Sequence, residues 1–195
     1  MILPIGGWVL QAAAIQAAKL HQSLKRIVPI GVNVSAKQLQ PVDFVYIIDE
    51  DHAIDGVSPE ILEIKCTEGM FIKDIGLTIE ILTDLKMRGL EVAFDDFGTG
   101  YSSLGDLNKL PIDRLKIDRS FVAEIANHEE DRLLVSLIAE MVRKLGLNVF
   151  AEGGEDEIQR NLLVGMGCHA IQGFLYSRPL ALDSFCSWCE DQPTA

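Results

Sequence analysis

The chain alternates short apolar segments with longer segments of helical periodicity, and this alternation limits the possible folds more than any other feature of the sequence. Six segments rich in β-branched and apolar residues are predicted to be strands: 28–34, 61–66, 90–94, 115–117, 148–151 and 170–175. Helical patterns lie between them, most clearly at 77–87 and 131–145. Because the strands are apolar on both faces, the sequence predicts an α/β fold in which helices cover a parallel sheet.

Composition excludes several classes of protein. The 195 residues contain no low-complexity segment, and 48% of them are hydrophobic, which predicts one globular domain over residues 1–195. The formal net charge of −12 repels phosphate backbones, so a nucleic-acid polymer is not an expected partner. Charged residues interrupt every apolar run before it reaches the length of a membrane span, and we expect a cytoplasmic protein.

Two short segments have a second interpretation. Residues 1–20 begin with a largely apolar stretch that leads to small residues, as in a signal peptide. No Lys or Arg precedes this stretch, and its apolar residues are spaced as in an amphipathic helix, so we predict a helix rather than a signal peptide. Cys186 and Cys189 form a lone CxxC motif without the second pair that a structural zinc site needs. We predict two thiols on a terminal helix in a reducing cytosol, with a zinc or redox role as the alternative.

Polar residues cluster at the predicted strand ends, where the carboxyl ends of parallel strands share one rim. They are Asn33, Glu68, Asp95, Asp96, Lys116, Glu152 and Gln172. The oxygen ligands Asn33, Asp95, Asp96 and Glu152 suit Mg²⁺ or Mn²⁺ better than zinc. One hypothesis is therefore metal-dependent phosphoester chemistry. The alternative is a solvated acidic rim.

Residues 95–104 read DDFGTGYSSL, and with this motif the chain resembles the EAL-domain family, the bacterial phosphodiesterases of cyclic di-GMP. Further matching segments follow in the family's order: LPIGGWVL at 3–10, NVS at 33–35, TE at 67–68, LKIDRSFV at 115–122, AEG at 151–153, QGF at 172–174 and SRPL at 177–180. The resemblance implies a modified TIM-type (β/α)8 barrel. It also implies hydrolysis of one phosphodiester of cyclic di-GMP, with Mg²⁺ or Mn²⁺, to the linear dinucleotide.

The resemblance also assigns roles to individual residues. Metal binding falls to Asn33, Asp95, Asp96 and Glu152, and catalysis to Lys116, which matches the lysine near the attacking water, together with Glu152. Gln172, Asp118 and Arg178 are expected to contact the substrate. Glu68 matches the glutamate that supports the loop at 95–104, which in the family carries metal-site information to the dimer interface.

Two departures from the family pattern bear on activity. The chain begins after the namesake Glu-Ala-Leu motif, and a typical barrel takes about 250 residues, so we expect the first two strands and one metal-binding glutamate to be absent. Lys65 stands where a second metal-binding carboxylate belongs. Glu63 lies on the same face one layer deeper and would replace that ligand only through a bulge or a register shift.

Lys65 therefore predicts weak metal binding and impaired hydrolysis, because an ammonium repels a divalent cation. We expect its ammonium within salt-bridge reach of Asp95 or Glu152, with a lysine that reaches to solvent as the alternative.

Three functional hypotheses remain. The chain is an active phosphodiesterase completed by a partner, a module that binds cyclic di-GMP without cutting it, or a remnant that acts through protein interaction. The predicted edge strands need cover, which a second copy of the chain in a homodimer or residues 1–20 would provide.

Overall fold

The structure is a computed structural model that describes residues 2–39, 58–70, 75–98 and 107–192. Its strands are β1 (Ile30–Asn33), β2 (Leu62–Thr67), β3 (Glu91–Phe97), β4 (Arg114–Ile117), β5 (Asn148–Glu152) and β6 (Ala170–Gln172). They form one sheet in chain order, and the recorded strand pairs are parallel. The six predicted strands and the α/β class are confirmed.

The sheet is apolar because its strands are covered on both faces. In β3, Val92, Ala93 and Phe94 are consecutive residues with at most 1% exposure, although they point alternately to the two faces. Such continuous apolar runs are typical of parallel strands under helices. The one strand that ends clearly earlier than predicted is β6, which stops at Gln172 because Gly173 begins a turn closed by the Tyr176 N–H to the Gly173 carbonyl.

Seven helices are described: α1 (Ile2–Leu24), α2 (Ala36–Leu39), α3 (Ile75–Met87), α4 (Arg119–Val122), α5 (Glu129–Lys144), α6 (Glu157–Gly165) and α7 (Leu182–Asp191). Two 3-10 turns, Pro59–Ile61 and Glu68–Met70, flank β2. The predicted helix at residues 1–20 is confirmed as α1, and the CxxC cysteines lie on α7 as free thiols. Within the described residues, no helix has the length and apolar character that crossing a bilayer requires.

The structure divides into two compact units. The first comprises Met1–Cys66, Lys73–Val92 and Pro179–Ala195. In it, α1 packs against β1, α2, α7 and the turn before β2. Three alanines, Ala14, Ala17 and Ala18, lie on the buried side of α1 and allow close approach of its neighbours.

The second unit comprises Thr67–Ile72 and Ala93–Arg178. It contains β4, β5 and β6, with α4 and α5 packed on β5. The helix α5 buries Val135, Ile138, Ala139 and Val142 and leaves Leu133 and Leu137 exposed to 61% and 55%. The side of α5 that carries Ile138 and Val142 therefore faces the core. The prediction of one domain over residues 1–195 is not tested by this division and stays a prediction.

Candidate functional site

Asp95 and Asp96 lie in a β-bulge at the carboxyl end of β3. The paired positions on either side of them are Phe94 with Leu115 and Phe97 with Ile117. Two residues of β3 therefore oppose Lys116 alone, and Asp96 adopts a left-handed backbone with φ 55°. Consecutive strand residues normally face opposite sides of a sheet, so the bulge explains how both carboxylates reach one site.

Three carboxylates meet at this end of the second unit. Asp95, Asp96 and Glu152 each offer one oxygen, and these oxygens lie within 4.8 Å of one another. Asp95 is buried, whereas Asp96 and Glu152 are half-buried. Glu152 joins the pair because it is the last residue of β5. The predicted convergence of these three residues is confirmed.

Lys116 is a buried cation that contacts two of these acids. Its Nζ lies 3.3 Å from Oδ1 of Asp95, and it also forms a salt bridge with Glu152. Its side chain is 5% exposed, so little water screens these interactions. Lys116 and Glu152 lie on the same face because Lys116 pairs with Phe150, two residues before Glu152.

The charges of the cluster indicate which ion it suits. Three carboxylates and one ammonium leave two formal negative charges, which one divalent cation balances. Carboxylate oxygens are the ligands of hard cations such as Mg²⁺ and Mn²⁺, and among the residues that the structure describes no cysteine or histidine belongs to the cluster. The residues present therefore fit a divalent metal ion.

Gln172 lies beside Glu152, its partner in the register of β5 and β6. The Gln172 carbonyl accepts hydrogen bonds from the N–H groups of Gly153 and Gly154 at 2.8 and 3.1 Å. These bonds fix the backbone directly after Glu152, while the Gln172 residue remains exposed. Its predicted substrate contact is not tested.

Two other predicted substrate contacts have partners inside the protein. Asp118 caps the amino terminus of α4, and its Oδ1 accepts a hydrogen bond from the Ser120 N–H at 3.0 Å. Partial burial raises the pKa of Asp118, but hydrogen bonds from Ser120 and Arg119 and the charge of Arg119 outweigh it and lower the pKa below its ordinary value. The Arg178 guanidinium lies 4.5 Å from the ring centroid of Phe174.

Asn33 and Lys65 belong to the first unit and form a register pair of β1 and β2. The Val34 N–H donates a hydrogen bond to the Lys65 carbonyl at 3.1 Å. The register between the strands is unbroken from Leu62 to Lys65, so the bulge that would have moved Glu63 into the ligand position is absent from this segment. The predicted reach of Lys65 to Asp95 or Glu152 stays a prediction.

Glu68 begins the 3-10 turn after β2 and is buried, with 8% exposure. The sequence assigns it to support the loop at 95–104, but residues 99–104 lie outside the described residues. Its role as a support therefore stays a prediction.

Sequence reasoning missed two features of the site. One is the bulge, whose only sequence signal is that Asp tolerates the left-handed backbone better than most residues. The other is Gln159 on α6, which is 6% exposed and whose side-chain amide donates to the Ala123 carbonyl at 3.1 Å. The spacing of Asp156 and Gln159 is that of a capping box, which could have indicated the local bonds of Gln159, but its bond to Ala123, 36 positions away in the chain, has no sequence signal.

Comparison with known proteins identifies the family. A sequence model of the EAL domain matches residues 1–179. The chain belongs to the EAL-domain family.

Two curated EAL relatives illustrate the extent of the similarity. The signaling protein YkoW of Bacillus subtilis is 35% identical over 194 residues, which are 100% of this chain and 24% of YkoW. The cyclic di-GMP phosphodiesterase NbdA of Pseudomonas aeruginosa is 38% identical over 185 residues, 93% of this chain and 23% of NbdA. The chain thus spans about a quarter of the length of these relatives.

Solved EAL structures share the fold. The MucR phosphodiesterase of Pseudomonas aeruginosa, in complex with cyclic di-GMP, matches with a TM-score of 0.86 and 36% identity over 94% of this chain and 74% of that one. BlrP1 of Klebsiella pneumoniae, solved with manganese and cyclic di-GMP, matches with a TM-score of 0.81 and 26% identity over 91% of this chain and 45% of that one. The predicted TIM-type EAL fold is confirmed.

Proposed function

We propose that this EAL domain binds cyclic di-GMP at the acidic cluster together with Mg²⁺ or Mn²⁺ and hydrolyses it poorly. The observation that carries the proposal is the convergence of Asp95, Asp96 and Glu152 around buried Lys116. Similarity to the cyclic di-GMP phosphodiesterase NbdA and to the MucR phosphodiesterase in complex with cyclic di-GMP supports cyclic di-GMP as the ligand.

Asp95, Asp96 and Glu152 would hold the ion, with Asn33 as the further ligand that the family resemblance implies. A divalent ion at such a site polarises a phosphate oxygen and lowers the pKa of a bound water. Lys116 lies against two of the acids, where its ammonium donates hydrogen bonds to the attacking water and offsets the charge on the phosphate oxygens.

In the hydrolysis itself, the water oxygen forms a bond to phosphorus while one phosphoester bond breaks. The water gives one proton to Glu152, which releases it to solvent, and the leaving ribose oxygen takes a proton from solvent. The product is the linear dinucleotide. Glu152 is half-buried, and the hydrogen bond that it accepts from Lys116 holds its carboxylate at the site.

Gln172, Arg178 and Asp118 would contact the dinucleotide. Gln172 and Arg178 are exposed, and the guanidinium of Arg178 can bind a phosphate bidentately. Asp118 keeps one carboxylate oxygen on Ser120, so a ligand would use its other oxygen. In this proposal Glu68 supports the loop at 95–104.

Impaired hydrolysis follows from Lys65. The family resemblance places a metal-binding carboxylate at this position, and the unbroken register of β1 with β2 leaves Glu63 one layer away from it. The substitution changes the charge at the ligand position by two units. Loss of a group that acts together with others removes most of the rate, and we expect a reduction of ~10³-fold or more.

The experiment combines calorimetry with product analysis. Purified protein is titrated with cyclic di-GMP in the presence and absence of Mn²⁺, and chromatography measures the linear dinucleotide. We expect binding that requires Mn²⁺ and turnover at least ~10³-fold below that of an intact family member. Asp95→Asn should abolish the Mn²⁺-dependent binding of cyclic di-GMP. Asp183→Asn, a matched change at an exposed position of α7, should leave that binding intact.

Absence of cyclic di-GMP binding in both conditions would overturn the proposal. Rapid formation of the linear dinucleotide would overturn its hydrolytic part and favour an active phosphodiesterase.

We also propose a homodimer in the cytoplasm. The exposed leucines of α5, Leu133 and Leu137 among them, offer an apolar face to a second copy of the chain. Cys168, Cys186 and Cys189 are free thiols, as a reducing compartment would keep them.

A further inference from the structure

Each of the two turns that follow the strands with the acidic side chains contains a glycine with a left-handed backbone. Gly98 (φ 97°) follows Asp96 by two residues, and Gly153 (φ 80°) directly follows Glu152. A Cβ atom at Gly98 would lie 2.7 Å from the ring of Phe121, and one at Gly153 would lie 2.5 Å from Cβ of Arg119. The short helix α4 therefore packs tightly against both turns.

The helix α4 is itself held at both ends. Its first turn is capped by Asp118, whose carboxylate accepts the Ser120 N–H. At the other end, the carbonyl of Ala123 accepts a hydrogen bond from Nε2 of Gln159 at 3.1 Å. A four-residue helix has little stability of its own, so these fixed ends determine where Phe121 and Arg119 lie.

Gln159 also binds the loop that follows Glu152. Its Oε1 accepts hydrogen bonds from the backbone N–H groups of Glu155 and Asp156 at 2.7 and 3.3 Å. Its backbone N–H donates a hydrogen bond to Oδ1 of Asp156 at 2.8 Å. This buried amide thus joins α4 to the segment that begins with Glu152. Buried polar groups with several partners fix geometry, because each lost bond leaves a desolvated group behind.

We propose that Phe121 and Gln159 are positioning residues of the acidic site, which through α4 set the separation of Asp96 from Glu152. The inference rests on the proposed function, because the effect that it describes is on the binding of the metal ion proposed there. Oxygen ligands must lie within a few tenths of an ångström of their ideal distance from such an ion. A shift of the strand end that carries Asp96 relative to the one that carries Glu152 would therefore weaken metal binding without removing any ligand.

The test uses Phe121→Ala and Gln159→Leu, with Phe185→Ala as the matched control, because Phe185 is a half-buried aromatic residue on α7. Three quantities are measured: the Mn²⁺ dissociation constant by calorimetry, amide hydrogen exchange at Gly153 and Gly154, and the melting temperature. Both glycine amides donate to the Gln172 carbonyl in the wild type and report directly on the turn after Glu152.

We expect Phe121→Ala and Gln159→Leu to weaken Mn²⁺ binding ~10-fold or more and to accelerate exchange at the two glycines. Phe185→Ala should lower the melting temperature without changing the Mn²⁺ affinity or the amide exchange at the two glycines. Phe121→Leu, which refills part of the space over Gly98, should recover part of the affinity.

Unchanged Mn²⁺ affinity and unchanged glycine exchange in both variants would overturn the positioning inference while the proposed function stands. If the wild type binds no Mn²⁺, the proposed function loses its metal and hydrogen exchange decides the inference. Faster exchange in the two variants, but not in Phe185→Ala, then supports the inference, and equal exchange overturns it.

Discussion

At the scale of single residues, Asp96 combines a carboxylate with a backbone conformation that most side chains avoid. Its φ of 55° lies in the left-handed region, which Asp, Asn and Gly adopt more readily than other residues. The conformation serves the site rather than the fold, because it brings a second carboxylate to the side that Asp95 occupies. Replacement of Asp96 by glycine should therefore affect stability and metal binding in opposite directions.

Asp96→Gly should leave the free energy of unfolding unchanged or raise it by about 1 kcal/mol, because glycine relieves backbone strain and like-charge repulsion. The same variant should weaken Mn²⁺ binding at least ~10-fold through the lost ligand. Asp96→Val should lower the free energy of unfolding by about 2 kcal/mol. Urea denaturation and calorimetry measure these effects, and a markedly destabilised Asp96→Gly would contradict the interpretation.

Asp118 should make stability depend on pH. Its folded pKa is lowered, so its ionised form stabilises the fold above the ordinary carboxylate pKa, and this contribution is lost as the pH falls through the lowered value. Asp118→Ala should cost about 1 kcal/mol at neutral pH, as other helix caps do, and less at acid pH, where the carboxylate is protonated in the folded protein too. Urea denaturation at both pH values tests this, and an equal loss at both would show that the carboxylate charge is not involved.

At the scale of elements, periodicity and composition were enough to predict the strands and the main helices. Residues 149–151 are consecutive apolar residues and became part of β5, and the acidic start and basic end of α5 match the predicted helix. The bulge could not be predicted, because it depends on how β3 pairs with β4, and a register between strands cannot be read from either strand alone. The bond between Gln159 and the Ala123 carbonyl could not be predicted either, because the two residues lie 36 positions apart in the chain.

The exposed face of α5 should mediate self-association. Burial of Leu133 and Leu137 against a second copy would stabilise a dimer by about 2 kcal/mol for each side chain. Leu133→Lys with Leu137→Lys should therefore give a monomer in sedimentation velocity. Met87→Lys with Leu180→Lys makes the same change at other exposed apolar positions and should leave the dimer intact. A wild type that sediments as a monomer would remove the proposal.

At the scale of the whole molecule, family resemblance was more informative than composition. The acidic cluster was predicted correctly from strand-end residues, because parallel strands bring their carboxyl ends together whatever the exact boundaries of each strand. Asn33 and Lys65 belong to the other compact unit, and their contribution to the cluster stays a prediction.

Lys65→Glu should restore one carboxylate and raise Mn²⁺ affinity, because the charge at the ligand position changes by two units. Lys37→Glu makes the same charge change at an exposed position of α2 and separates a local effect from a general one. Equal Mn²⁺ affinity in wild type and Lys65→Glu would mean that Lys65 reaches to solvent.

The bulge in β3 also affects how a lineage of such proteins would lose its metal. Deletion of a single codon between Phe94 and Phe97 would match the spacing of β3 to that of β4 and restore regular alternation, so that only one of two adjacent acids could face the site. The strand would still pair and the protein would still fold. Descendants that have abandoned metal binding can therefore retain an aspartate here and differ from their ancestors in the length of β3.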